Sequence, residues 1–240
     1  MQNLKHLLTE IRTTPKEKNL TNREQMQFDA FLEVFKSVAG HYGRKGVFSI
    51  DDENREQIKY LLLYFSNNRA FNEITPNNVM KYKPDLEKGL ILAGNVGSGK
   101  TNLLRIFQEM RIPSNYFRIA YCDVITDDYR RLGMQSLFKY YNSNLERIQH
   151  DTSESIFLFD DLGFEKKFKD YGTEVNCLMD IIIKRERLYN DYGTRSLFTT
   201  NLMLSEIESY YDNRTLSRLC GMCNVIYLGN KSDSIDRRIN

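Results

Sequence analysis

An α/β fold built on a parallel five-stranded sheet flanked by helices is predicted by three features of this 240-residue chain. The first is the run Gly94-Asn95-Val96-Gly97-Ser98-Gly99-Lys100-Thr101, which has the G-x-x-x-x-G-K-T spacing of a phosphate-binding P-loop. The second is the alternation of short apolar runs with helix-periodic stretches through the second half of the chain, the pattern of a parallel sheet covered on both faces. The third is Ile156-Phe157-Leu158-Phe159, an apolar run that ends in Asp160-Asp161.

The P-loop spacing is chemical. Glycines allow the tight turn that aims backbone N–H groups at phosphate oxygens. Lys100 adds a charge that can reach the β- and γ-phosphates, and the Thr101 hydroxyl can hold Mg²⁺. The helix that begins here directs the positive end of its dipole at the same anion. Context agrees: Gly89-Leu90-Ile91-Leu92-Ala93 enters as a buried strand, and Leu103, Leu104, Phe107 and Met110 leave with helical spacing. A Rossmann reading fails, because Gly97-Ser98-Gly99 is followed by Lys100-Thr101-Asn102 and the third glycine is missing.

Upstream, Leu4, Leu7, Leu8 and Ile11 mark a short amphipathic helix ended by Thr14-Pro15. Thr21 and Glu24 form a capping box for a second helix carrying Phe28, Phe31, Leu32, Phe35 and Val38. Residues 1–45 therefore read as a helical extension, either packed on the rest or docking a partner, and residues 46–240 as the nucleotide domain. Asp51 or Asp52 caps a third helix with Ile58, Leu61, Leu62 and Phe65 inward, and a polar connector follows from Asn67 to Lys88. Strands are expected at Leu90–Ala93, Phe117–Cys122, Ile156–Phe159, Ser196–Thr200 and Val225–Leu228. Helices are expected at Thr101–Met110, Val124–Ile148, Val175–Tyr189 and Leu204–Leu219.

A hydrophobic content of 41% with 28% charged residues indicates a soluble globular protein, and the net charge of +2 excludes a chain that is basic overall. No signal peptide or membrane span is apparent, so the reading is cytoplasmic, with the four cysteines as free thiols. Cys220-x-x-Cys223 has no second pair to complete a zinc site.

An acidic pair at the C-terminal end of a buried strand suits metal-assisted chemistry on a bound nucleotide. Asp160 would hold Mg²⁺ together with Thr101, and Asp161 would polarise the attacking water. The stretch Phe159-Asp160-Asp161-Leu162-Gly163-Phe164-Glu165 resembles the D-D-L-G-x-E signature of DnaC-type helicase loaders and the IstB-like ATPases, both of the AAA+ class. Leu197-Phe198-Thr199-Thr200-Asn201-Leu202 is similar to their sensor strand, and Thr215-Leu216-Ser217-Arg218-Leu219 to their S-R-L box. The resemblance covers about residues 88–229.

It implies a sheet in the order five, one, four, three, two and ATP hydrolysis to ADP and phosphate. It also implies an Asn201 that orients water beside the γ-phosphate. Arg218, with Arg214 as its rival, would be an arginine finger reaching a neighbouring subunit, so assembly would depend on ATP. Arg237 or Arg238 would stand late for a second phosphate sensor. The chain ends before the helical lid of larger relatives, which implies an open nucleotide and stimulation by a partner or DNA. The implied partner is a replicative helicase, or a transposase if the IstB-like likeness governs.

Single-stranded DNA is a further expected ligand. Tyr129-Arg130-Arg131 with Phe138-Lys139-Tyr140-Tyr141, and Phe164 to Tyr171, both mix cations with aromatic faces. A P-loop small-molecule kinase and a non-catalytic nucleotide-gated adaptor are the alternatives from other classes.

Overall fold

A computed structural model describes residues 22–44, 48, 50–141, 156–170 and 173–229. The helix expected at Leu4–Ile11, the Thr21 end of the capping box, and Arg237 and Arg238 lie outside the described residues. The chain forms two compact units, one of Met1–Leu86, Asn95–Ile112 and Ile226–Asn240, the other of Glu87–Gly94 and Pro113–Val225.

In the first unit, α1 (Asn22–Arg44) and α2 (Arg55–Phe65) precede α3 (Lys100–Glu109). The apolar stripe of α1 is used for packing within the chain. Phe28, Phe31, Leu32 and Phe35 are buried, and the Phe35 ring lies 5.3 Å from that of Phe107 on α3. Phe65 stacks on the same ring at 4.4 Å, so both N-terminal helices pin the helix that follows the glycine loop. Asp51 acts one turn earlier than a simple cap: its Oδ1 accepts from the backbone N–H groups of Glu53 and Asn54, and Asn54 is the residue that flanks α2. The connector is not wholly irregular, since Arg69–Glu73 forms a 3₁₀ turn.

The second unit carries the parallel strands β1 (Gly89–Gly94), β2 (Arg118–Tyr121), β3 (Phe157–Leu162) and β6 (Ser196–Thr200); β7 (Cys223–Leu228) begins within it. The five-stranded sheet has the order β2-β3-β6-β1-β7. Numbered by their appearance within this sheet, the strands follow the order five, one, four, three, two expected from the resemblance. All residues of β1 and β6 are buried, as central strands of a parallel sheet covered on both faces are; β1 is a continuous apolar run, β6 carries three hydroxyl residues, and β2 at the edge is mixed.

Four departures from the sequence reading have local causes. The helix expected at Val124–Ile148 stops as α4 (Cys122–Leu132), because Gly133 takes φ 69° and opens a 3₁₀ turn, followed by a single helical turn at Phe138–Tyr141. Residues 142–155 lie outside the described residues. The helix expected from Val175 starts later, as α5 (Cys177–Tyr192), where the Asn176 side chain accepts the Leu178 N–H. The stretch before it is a hairpin of β4 (Phe168–Asp170) and β5 (Thr173–Val175). The helix expected over Leu204–Leu219 is two, α6 (Leu204–Tyr210) and α7 (Asn213–Met222), separated because the Asp212 carboxylate caps α7 through the Thr215 N–H at 2.6 Å.

Candidate nucleotide-binding site

The glycine loop has the backbone its sequence calls for. Gly97 and Gly99 take φ 79° and 89°. At Gly99 the demand is conformational, not steric, since an added Cβ meets nothing within 4 Å. Gly99 flanks α3 with no side chain capping the helix, and the positive end of the helix dipole lies at the loop, as an anion site requires. Lys100 is only 5% exposed, and its Nζ donates to the Asn95 carbonyl at 2.9 Å and to Ser98 Oγ at 3.4 Å. Thr101, in the first turn, is half-buried, while Val96 at the tip is exposed.

β1 delivers this loop from Gly94. Because β1, β6 and β3 pair in parallel, their C-terminal ends share one edge of the sheet. Thr200 and Asn201 close β6 there, and Asp160 and Asp161 lie near the end of β3. Asp160 is 3% exposed and its Oδ1 accepts the Thr199 hydroxyl at 2.6 Å. That hydroxyl accepts the Asp161 N–H at 2.8 Å.

The register slips between Phe159 and Leu162. The extra residue is taken up by Asp161, which has φ 61°. A left-handed non-glycine residue in a bulge is costly unless held, and Thr199 holds it. The Thr200 hydroxyl donates to the Leu162 carbonyl at 2.7 Å, and Leu202 closes over Gly163, where an added Cβ would lie 2.3 Å from Leu202 Cδ1. The two motifs read separately in the sequence are thus one interlocked structure, and Thr199, Thr200 and Leu202 each engage a residue of the acidic motif.

Glu165 extends the same lock. It is buried, accepts the Gly163 N–H at 2.8 Å and the Tyr211 hydroxyl, and the Tyr210 hydroxyl donates to its carbonyl. Burial pushes the Glu165 carboxyl above the usual glutamate range, against the pull of these hydrogen bonds. Tyr211 is raised by its own burial and then by the Glu165 charge.

Arg218 on α7 pairs with Glu186 of α5. Arg214, one turn earlier, is exposed. The structure therefore brings Asp160, Asp161 and Asn201 to one sheet edge and finds Arg218 engaged with a neighbouring helix. Sequence reasoning missed Thr199, Glu165 and Glu186. Glu165 stood within the acidic motif, and Thr199 within the sensor strand, but nothing local marked either as a hydrogen-bonding partner.

With the sheet order and the placement of a P-loop after its central strand in view, the chain's class follows. The fold is an α/β fold on a parallel sheet, with the strand order that the AAA+ resemblance implied. No family model matches the chain, and no curated protein matches it in sequence. Among solved structures it is similar to the DnaC helicase loader, with 16% identity and a TM-score of 0.45 over 75% of this chain and 93% of that one. DnaI is similar at 19% identity and a TM-score of 0.46, over 80% and 88%. AMPPCP-bound DnaA from Aquifex aeolicus is similar at 17% and 0.45, over 77% and 50%. Likeness at this level carries no functional argument, which rests on the residues of this chain.

Those residues fit a phosphate chain and a hard divalent cation. Mg²⁺ takes one or two protein oxygens plus phosphate and water, and Asp160 offers a buried, oriented carboxylate. Among the described residues no three His, Cys, Asp or Glu side chains gather as metal ligands, and no helix is long and apolar enough to cross a membrane.

The two cation-rich aromatic segments also meet. Tyr129 lies 5.6 Å from the Phe168 ring and the Arg130 guanidinium sits over that ring at 4.8 Å. Phe164 is 66% exposed beside exposed Lys166 and Lys167. Their charge is moderated, because Asp127 pairs with Arg130 and Asp128 with Arg131 and Lys139. Tyr140 is core, packed on Phe157 and Phe159, and offers no stacking face.

Proposed function

We propose that this chain binds and hydrolyses ATP and acts in DNA replication as a DnaC-like helicase loader. The observation that carries the reading is the single sheet edge shared by the end of β1, the Asp160-Asp161 bulge and Asn201. In this reading the loop amides and Lys100 bind the phosphates, and Thr101 and Asp160 hold Mg²⁺. The cation, when bound, neutralises phosphate charge. Asp161 polarises water and Asn201 orients it. Arg218, or the more exposed Arg214, completes a neighbouring subunit's site, so that nucleotide state governs self- or co-assembly. Arg218 must first leave Glu186 to do so. The Arg130–Phe168 surface with Phe164 and Lys167 is the place assigned to single-stranded DNA, and its binding would weaken steeply with salt.

The loader assignment is supported by the D-D-L-G-x-E, T-T-N-L and S-R-L motifs together. The same ATPase would serve a transposase in the IstB-like alternative. Co-purification from the native host with ATP and with a slowly hydrolysed analogue tests the partner: recovery of a replicative helicase is expected, and recovery of a transposase would replace the loader reading. Lys100→Ala should abolish tight ATP binding by calorimetry; unchanged affinity would remove the site.

A further inference from the structure

The Thr199 hydroxyl has one proton and two neighbours. The Asp161 N–H, at 2.8 Å, can only donate, so the hydroxyl accepts there. Its own proton is therefore committed to Asp160 Oδ1, at 2.6 Å. Thr199 is fully buried in the middle of the sheet, where water cannot replace either bond. A hydroxyl buried this deeply in the sheet is costly unless its hydrogen bonds are made. The arrangement orients one carboxylate and fixes the backbone of the next: the left-handed Asp161 at φ 61° is held through its amide by the same oxygen.

We propose that Thr199 is the positioning residue of the cation site. It orients the Asp160 carboxylate toward a divalent ion and holds the Asp160-Asp161 bulge in its working shape. The inference rests on the nucleotide reading given above and deepens it by naming what tunes the metal. Groups that orient a ligating carboxylate set metal affinity by about 10–100-fold without touching the ion.

The test uses the full chain, Mn²⁺ as a spectroscopic probe and a fluorescent ATP analogue. Thr199→Val keeps the shape and removes both hydrogen bonds. It should raise the half-saturating Mn²⁺ concentration about tenfold, while affinity for the analogue in EDTA stays within about twofold. Thr199→Ser, which keeps the hydroxyl, should restore the metal affinity. In an Asp160→Asn background Thr199→Val should add nothing, because it acts through that carboxylate.

A Thr199→Val protein with wild-type Mn²⁺ dependence would overturn the proposal, as would a Thr199→Ser protein as impaired as the valine variant. If valine prevents folding, Thr199→Cys, with a weak donor, takes its place, and unchanged Mn²⁺ affinity again overturns it. A wild-type chain that binds no analogue with or without Mn²⁺ would instead bring down the nucleotide reading itself.

Discussion

Gly163→Ala is expected to destabilise the protein through its contact with Leu202 more than through the backbone alone. Gly163 has φ 90°, and an added Cβ would stand 2.3 Å from Leu202 Cδ1 and 3.0 Å from Cγ, against an ordinary carbon–carbon contact of about 3.5–4.0 Å. Leucine could swing aside, but its backbone is tied down: the Leu202 N–H donates to Thr200 Oγ1 at 3.0 Å, and that hydroxyl donates to the Leu162 carbonyl. A left-handed alanine costs about 1–2 kcal/mol, and overpacking adds about 1–3 kcal/mol.

The sum is centred at about 3.5 kcal/mol, which in a chain of this length lowers Tm by roughly 7–14 °C. Leu202→Ala removes the obstacle, so Gly163→Ala in that background should cost only the backbone share. The double-mutant cycle, read by urea denaturation, should give a coupling of about 1–3 kcal/mol. Additivity within about 0.5 kcal/mol would refute the interlock between the two motifs.

Glu165→Gln tests the buried acid. A carboxyl whose folded pKa is raised contributes stability that is fully present below its unfolded pKa and is lost as pH rises through the folded value. The Tm of the variant relative to wild type should therefore climb as pH rises above the ordinary glutamate range; a constant difference would show that Glu165 does not titrate in this way. Arg218→Ala should spare ATP binding and remove hydrolysis, whereas Arg214→Ala should keep it; full-rate hydrolysis by the first variant would exclude Arg218 as the finger. Arg185 is fully buried and donates to Ser196 Oγ at 2.8 Å, the Tyr140 carbonyl at 3.3 Å and the Arg195 carbonyl at 2.6 Å. Arg185→Lys cannot span those three acceptors, so chemical denaturation should show a loss of about 2–4 kcal/mol, and a loss below about 0.5 kcal/mol would mean that the fork is not needed.

What could be read in the amino-acid order is what depends on near neighbours. The glycine loop is legible because its turn, its lysine and its helix start are contiguous. β6 is predicted to the residue, although only Leu197 and Phe198 of its five residues are apolar. The strand order required a family resemblance, because an apolar run does not say which run lies beside it.

Breaks were harder. Asp212 divides the helix expected over Leu204–Leu219 by outcompeting continuation with a side-chain cap, and Gly133 ends α4 by turning left-handed. A periodic apolar pattern runs through both positions and hides them. The lock of Thr199 on Asp160 joins residues 39 apart in the chain, and Arg218 meets Glu186 across 32. Such bonds exist only once parallel pairing has set which side chains face each other across a strand or helix. Sequence alone thus specified the chemistry available at the phosphate loop and the acidic strand, while the packed sheet decided which hydroxyl orients the carboxylate and which glutamate holds the arginine.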